Sequence, residues 1–213
     1  MKYEFEEAVK KAIEESKPRN FTQSIDVIIN LKDVDLKNPD NRIKKEVVLP
    51  NGRGKEVKVG LFGAESFRMK GEDAGIDRVF DKETAEDMDN SEKKSVAEEI
   101  DHFIAQADMM PMIGREWGKV LGPRSKMPDP MPPTVSESEL EKTINDLRDT
   151  IRLDSGEDPV VHSAVGTEDM EIEDIVENTE IVLENIMNNY EMGETRIGKL
   201  YVKTTMGPTV EVK

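Results

Sequence analysis

The sequence predicts an α/β and α+β protein with two domains, in which an inserted Rossmann-like α/β domain interrupts a discontinuous α+β domain built from both chain ends. Two changes in the spacing of apolar residues predict this division. Between them, short apolar strands alternate with helices, which is typical of βαβ units and a parallel sheet. We therefore expect the discontinuous domain over residues 1–55 and 150–213 and the inserted domain over residues 56–149.

The discontinuous domain is predicted from amphipathic helices and from strands that alternate apolar and polar residues. Apolar residues recur at helical spacing from Phe5 to Ile13, whereas they alternate as in a strand from Ile25 to Leu31. Pro18 ends the first helix, and the turn residues 51–54 separate later elements. In chain order we expect a helix over 3–16, strands near 25–31 and 43–49, a strand over 159–166, a helix over 172–189 closed by Gly193, and two strands within 196–212.

The inserted domain is predicted from short, mostly apolar strands with helices between them. Its last helix has a capping box, in which Ser136 or Ser138 is the cap and an acidic residue follows three positions later. Strand-rich connections near 52–56 and 149–157 join the two domains. In chain order we expect strands at 57–62, 76–80 and 102–107, helices at 64–73, 91–100 and 136–151, short helices within 108–121, and a proline-rich segment at 126–134.

The composition describes an acidic chain without cysteine. Of 213 residues, 46 are acidic and 30 are Lys or Arg, so the formal net charge is −16. The lack of cysteine excludes disulfides, thiolate metal sites and cysteine nucleophiles. No apolar run approaches the roughly 18 residues that a membrane span needs, and the acidic N-terminus is unlike a signal peptide. We expect a cytoplasmic protein with no cofactor, no metal and no membrane partner.

The charge is distributed unevenly along the chain. Residues 168–191 contain nine acids and no base, whereas residues 42–58 and 111–128 are basic overall. Acidic runs are usually solvated helix faces. Because no acidic tail accounts for the surplus, we expect adaptation to a salty cytoplasm. There the Debye length falls from about 8 Å at physiological salt to about 3 Å at 1 M, so local contacts would decide binding.

The sequence lacks the common catalytic motifs. It contains no phosphate-binding P-loop and no G-x-S-x-G, and no G-x-G-x-x-G follows the strand at 57–62. His162 and Ser163 are adjacent within a predicted strand, so their side chains point to opposite faces and do not form a nucleophile–base pair. We therefore expect no enzymatic activity.

Three segments combine residues in a way that indicates nucleic-acid binding. They are residues 20–24, 110–128 and 204–209. In the last segment, glycine and proline beside threonine and methionine at a strand end predict a rigid, exposed corner with free backbone groups. Small hydroxyls on such a corner suit close approach to a nucleic-acid backbone and its 2′-hydroxyls. A simple bend between two strands is the alternative interpretation.

Five motifs in order resemble one known family. They are Phe21-Thr22-Gln23-Ser24, Leu49-Pro50-Asn51-Gly52-Arg53-Gly54-Lys55, residues 110–128, His162-Ser163-Ala164-Val165-Gly166, and Thr204 to Pro208. The whole chain resembles the archaeal version of the L-one family of large-subunit ribosomal proteins. This resemblance implies a monomer within the ribosome that binds large-subunit ribosomal RNA of the mobile stalk near the exit tRNA. It also implies assistance in release of deacylated tRNA and repression of translation from the protein's own mRNA.

The resemblance also implies which residues contact RNA. In the discontinuous domain these are Phe21, Thr22, Ser24, Asp26, His162, Gly166, Lys203, Thr204, Thr205, Met206, Gly207 and Pro208. Secondary contacts in the inserted domain are Arg115, Arg124 and Lys126. The chain departs from the family pattern only in the inserted domain, at Glu116, Trp117, Lys119 and Ser125, the last of which replaces a usual glycine.

Two functions from other classes remain as alternatives. The first is an α/β enzyme that binds a nucleotide at the ends of the strands at 57–62 and 76–80. The second is an acidic module that binds a protein through the helix within residues 168–191. Calorimetric titration with nucleotides would reveal the first, and binding that survives ribonuclease treatment would reveal the second.

Overall fold

The strands of the chain form three sheets in a computed structural model that describes residues 4–190 and 193–213. The contacts divide the chain into two compact units. Unit 1 comprises residues 1–55 and 149–213, and unit 2 comprises residues 56–148. The chain thus leaves unit 1 once and returns to it once, which makes unit 2 an insertion in sequence.

Helices and strands alternate along most of the chain. The helices are α1 (Phe5–Glu14), α2 (Glu65–Asp73), α3 (Lys82–Asp87), α4 (Asn90–Glu99), α5 (Met110–Glu116), α6 (Gly118–Leu121), α7 (Glu137–Asp149), α8 (Ile172–Met187) and α9 (Gly193–Arg196). The strands are β1 (Ser24–Leu31), β2 (Lys44–Val48), β3 (Val59–Phe62), β4 (Arg78–Phe80), β5 (His102–Gln106), β6 (Asp129–Met131), β7 (Thr150–Asp154), β8 (Val160–Thr167), β9 (Ile197–Thr204) and β10 (Val210–Glu211). No helix in the described ranges is long and apolar enough to cross a bilayer.

Unit 1 is built on an antiparallel sheet with the strand order β10-β9-β1-β8. Every second residue of β1, from Ile25 to Leu31, is buried, as the alternating pattern predicts. Helices α1 and α8 contribute their apolar faces to the same core, and so does the two-stranded ribbon of β2 and β7. One face of the sheet is therefore covered by helices, while the other is only partly buried.

Unit 2 is built on a parallel sheet with the strand order β4-β3-β5-β6. Two apolar clusters cover its two faces, one formed with α2 and α7 and the other with α3 to α6. Trp117 is fully buried and donates a hydrogen bond of 2.9 Å from Nε1 to the carbonyl of Ala85. This family departure is therefore explained by core packing, with Phe62 and Phe80 as aromatic neighbours.

The structure differs from the sequence expectations at several element boundaries. The helix predicted over 136–151 ends at Asp149, because Ile151 and Leu153 enter the unit 1 core in β7. A short strand, β6, lies within the proline-rich segment, where an edge position tolerates Pro130. Helix α8 ends at Met187, and Gly193 begins α9 instead of closing α8. Helix α3 was not predicted, and residue 3, where the first predicted helix begins, lies outside the described residues.

Candidate nucleic-acid interface

The partly buried sheet face of unit 1 carries rows of side chains that cross three strands. In one row, Asp26 of β1 lies opposite Lys203 of β9 and Ala164 of β8. In the next, Ile28 lies opposite Tyr201 and His162. Residues directly opposite each other in antiparallel strands project to the same side of the sheet. We call the surface formed by Ser24, Asp26, Ile28, His162, Ala164, Tyr201 and Lys203 the open face.

The open face ends at a corner formed by residues 204–208, which begins at the last residue of β9. The backbone N–H of Thr205 donates to the carbonyl of Ser24 at 3.0 Å, and the N–H of Ser24 donates to Thr205 Oγ1 at 3.0 Å. Within the corner, the N–H of Gly207 donates to the carbonyl of Thr204 at 3.2 Å. The Thr205 hydroxyl therefore fastens the corner to the first residue of β1.

Two large apolar side chains beside the corner face solvent. Phe21 is 51% exposed and Met206 is 59% exposed. Exposed apolar groups that share a site with polar backbone groups are typical of surfaces that bind a partner. Together with the exposed Thr22 and Pro208, they give the corner the mixed apolar and hydroxyl character that the sequence predicts.

A fully buried glutamine holds the corner in place. The side-chain oxygen of Gln23 accepts a hydrogen bond of 3.1 Å from the N–H of Met206. Its side-chain nitrogen donates to Ser16 Oγ at 2.8 Å and to Glu168 Oε2 at 3.0 Å. Gln23 thus joins the segment after α1, the loop after β8 and the corner. The RNA contacts predicted from the sequence do not include Gln23. The alternation of buried residues in β1 could have found it, because the position two residues before Ile25 is also buried and a polar side chain there needs hydrogen-bond partners.

Two of the predicted contacts are buried. Thr204 is fully buried and donates from its hydroxyl to Ser16 Oγ at 3.0 Å. Gly166 is also buried, and a Cβ there would lie 3.0 Å from the sulfur of Met170. For Gly207, a Cβ would lie 2.2 Å from Thr204 Oγ1. The side chain of Thr204 therefore packs inside the corner, and Gly207 leaves the space that it occupies. The predicted RNA contacts of Thr204 and Gly166 stay predictions, and with both residues buried they would be made through the backbone.

The loop after β8 brings two acids close to the corner, and both are used within the protein. Glu168 Oε1 accepts from the N–H of Gln23 at 2.9 Å, and Asp169 Oδ2 accepts from the Thr22 hydroxyl at 2.8 Å. These bonds fix the segment that carries Phe21. The acids at the start of the acidic run 168–191 thus have a structural role.

A carboxyl group lies in the middle of the open face. Burial raises the pKa of the Asp26 carboxyl above its usual value, while the nearby charges of Lys203 and His162 act to lower that pKa. The open face is therefore electrostatically mixed, with one acid beside two groups that carry or accept positive charge. Among the residues that the structure describes, no three side chains of the metal-binding types come together as a metal site.

The three predicted contacts in the inserted domain all lie in unit 2, and each has a partner within the protein. Lys126 Nζ donates to the carbonyls of Ala97 and Ile100 at 3.0 and 2.7 Å, where it caps the end of α4. Arg124 pairs with Glu98 at 3.2 Å. Arg115 is the more exposed cation, with its side chain beside that of Glu116.

The departure at Ser125 has a backbone explanation. Ser125 adopts a φ of +54°, in the left-handed region that favours glycine. The serine therefore occupies the conformation for which glycine is the usual residue, and the turn after Arg124 keeps its form.

Comparisons with known proteins agree with one another. The model of the Ribosomal protein L1p/L10e family matches residues 10–208. The large ribosomal subunit protein uL1 of Methanothermobacter thermautotrophicus is 49% identical over 214 aligned residues that cover 100% of both chains. The proteins of the same name from Pyrococcus abyssi and Natronomonas pharaonis are 49% and 41% identical, over 97% of this chain and 94% and 97% of their own. The chain belongs to the Ribosomal protein L1p/L10e family.

Proposed function

We propose that this chain is a structural protein of the large ribosomal subunit, and that it binds ribosomal RNA through the 204–208 corner and the open face of unit 1. The observation that carries the proposal is the exposed Met206 on a corner that the fully buried Gln23 holds by a hydrogen bond, with the exposed Phe21 two residues before Gln23. Its relatives are named as large-subunit ribosomal proteins, which are not enzymes. The nucleotide-binding enzyme considered from the sequence is therefore set aside.

The chemistry of the corner explains how an acidic chain binds a polyanion. Hydroxyls, backbone groups and apolar side chains contact sugars and bases without needing a large positive charge. The cation that the open face adds is Lys203, which lies next to Asp26 in the sheet. Binding of this kind depends on shape and hydrogen bonds more than on long-range attraction.

We further propose the finer roles that the family resemblance implies. The RNA is the mobile stalk near the exit tRNA, the protein assists the release of deacylated tRNA, and free protein represses translation of its own mRNA in the cytoplasm. Translation of that mRNA in a cell-free system with increasing amounts of purified protein tests the last role. Met206→Ser should need about tenfold more protein than the parent for the same repression, and an unchanged yield with the parent would contradict this role.

Filter binding to transcribed large-subunit ribosomal RNA tests the main proposal. Met206→Ser should weaken binding about tenfold, because it removes an apolar contact without disturbing the core. Met69→Ser in unit 2 is the matched control, since Met69 is 61% exposed and Met206 is 59% exposed. Equal affinities of both variants and the parent would remove the corner from the binding site, and a parent that does not bind would overturn the proposal.

A further inference from the structure

Strand β9 presents an aromatic residue between two lysines, of which Lys203 belongs to the open face and Lys199 projects to the same side just beyond it. Its burial alternates so that Lys199, Tyr201 and Lys203 project to the side opposite the core residues Leu200 and Val202. A strand that interleaves basic and aromatic side chains on one exposed face is typical of surfaces that bind single-stranded nucleic acid. The contacts expected from the sequence include only Lys203 from this group.

The neighbouring strands place a residue directly opposite Tyr201 on each side. Tyr201 lies opposite Ile28 of β1 and opposite Glu211 of β10. His162 lies on the far side of Ile28, so that a tyrosine, an isoleucine and a histidine form a row across three strands. With strands about 4.8 Å apart, this row is about 10 Å wide. It is wide enough for the flat face of a nucleobase.

The row is continuous with the corner along β9. Thr205 lies four positions after Tyr201, which corresponds to about 13 Å of extended strand. Stacked nucleotides of one strand rise about 3.4 Å each, so about four of them span this distance. One RNA strand can therefore contact both places, with Lys203 and Asp26 between them.

We propose that Tyr201 is a stacking platform for an unpaired nucleotide of the same RNA that the corner binds, with Lys199 and Lys203 beside the phosphates that flank it; this inference rests on the proposed function. Lys199 is held in position by an ion pair of 2.9 Å with Glu211. Ile28 supports the base edge. The platform adds an apolar contact that salt does not screen.

The side chain at position 201 provides the test, with transcribed large-subunit ribosomal RNA as the probe. Tyr201→Leu keeps an apolar side chain but removes the ring, and its affinity should fall about fivefold or more. Tyr201→Phe keeps the ring and should bind within about twofold of the parent. Because stacking is not ionic, the ratio of the RNA affinity of Tyr201→Leu to that of the parent should be the same at about 0.1 M and about 1 M potassium chloride.

Fluorescence gives a second test. If Tyr201 had only a structural role, RNA binding would not quench the emission of a tryptophan placed at position 201. Trp117 is the single tryptophan and is fully buried in unit 2. The additional emission of Tyr201→Trp should be quenched when the RNA binds, because a base stacks on the new indole. This readout also serves if Tyr201→Leu unfolds.

Three results would overturn the platform. They are parent-like binding by Tyr201→Leu, equal losses with Tyr201→Leu and Tyr201→Phe, or an unquenched Tyr201→Trp that binds the RNA. In each of these three cases the parent protein still binds the RNA, so the proposed function is not contradicted. Failure of the parent to bind would instead overturn the proposed function, so the two failures are distinguishable.

Discussion

The side chain of Gln23 accepts its hydrogen bond from the backbone of Met206, so a fully buried residue positions the most exposed apolar side chain of the corner. Three separate segments meet at this one carboxamide: the segment after α1, the loop after β8 and the corner itself. The shape of the corner is therefore determined from inside the protein. Residues that never touch RNA are expected to control binding.

The first prediction concerns Gln23→Leu. This change leaves the N–H of Met206 and the Oε2 atom of Glu168 without the Gln23 side chain as partner, which costs about 1–3 kcal/mol of stability. RNA affinity should fall about tenfold even where the variant is fully folded, as measured by filter binding at low temperature. Asn178→Leu is the matched control, because Asn178 is another fully buried amide that bonds to the carbonyls of Gly52 and Val165. It should lose stability and keep its RNA affinity; equal affinity losses would mean that Gln23 acts through stability alone.

The second prediction concerns the hydroxyl of Thr205. Thr205→Val keeps the shape of the side chain but removes the acceptor for the N–H of Ser24. Losing this bond costs roughly 1–3 kcal/mol and releases the corner from β1. Because the RNA would then have to reorder the corner on binding, its affinity should fall about tenfold or more. Thr209→Val, at another exposed threonine just after the corner, is the control and should bind like the parent. Binding by Thr205→Val within about twofold of the parent would show that this hydroxyl is not part of the site.

The third prediction concerns the pH dependence of stability. Because burial raises the pKa of the Asp26 carboxyl, the folded protein holds this proton more tightly than the unfolded chain does. The contribution of this group to stability is present below the unfolded-state pKa and falls as pH rises through the raised folded-state pKa. Asp26→Asn removes the titration, so its stability relative to the parent should increase between about pH 3 and about pH 7. Urea unfolding across this range measures the difference, and a difference independent of pH would contradict the prediction.

The fourth prediction concerns unit 1 alone. The N–H of Leu49 donates to the carbonyl of Asp149 at 3.0 Å, so the two segments of unit 1 are neighbours close to where the chain leaves unit 1 and returns to it. A chain that joins residues 1–55 to residues 149–213 should therefore fold and bind the same RNA. Circular dichroism and filter binding check both properties. A folded protein that fails to bind would assign the main contact to residues 56–148.

The fifth prediction concerns salt. Binding that depends on many lysine–phosphate contacts falls steeply with salt, with a log–log slope near −0.9 per neutralised phosphate on duplex DNA. In this chain the net charge of −16 opposes RNA at low ionic strength, and screening removes that penalty. Affinity should stay flat or rise between about 0.1 M and about 1 M potassium chloride at fixed magnesium. A steep loss would show that basic segments such as residues 42–58 dominate binding.

The spacing of apolar residues predicted the helices and strands whose burial repeats regularly along a short stretch of sequence. The alternation from Ile25 to Leu31 placed β1 and its buried face, and the alternation of strands and helices predicted the parallel sheet of unit 2. The start of β7 was placed inside the preceding helix because its partner strand, β2, is distant in sequence. Pairing between distant segments leaves little trace in the spacing of either one.

In the candidate site, too, features set by a short stretch of sequence were predicted and features set by contacts between distant segments were not. Glycine, proline and threonine at the end of a strand predicted the corner at 204–208 from a short stretch of sequence, and its contacts with RNA stay predictions. The role of Gln23 depends on Ser16, Glu168 and Met206, which come from three separate segments. Likewise, the position of Tyr201 opposite Ile28 follows from strand register, which a single sequence does not display.

The strand order of unit 1 determines when the corner forms during synthesis. Strand β1 is made early but lies between β8 and β9, which come from the final quarter of the chain. Domains generally fold as units while the chain emerges. Here the inserted residues 56–148 emerge complete before β8, so unit 2 can fold on a chain that is still growing. The corner forms only after β9 has left the ribosome, so under the proposed function we expect that a partly synthesised chain does not bind the RNA and that only finished molecules do.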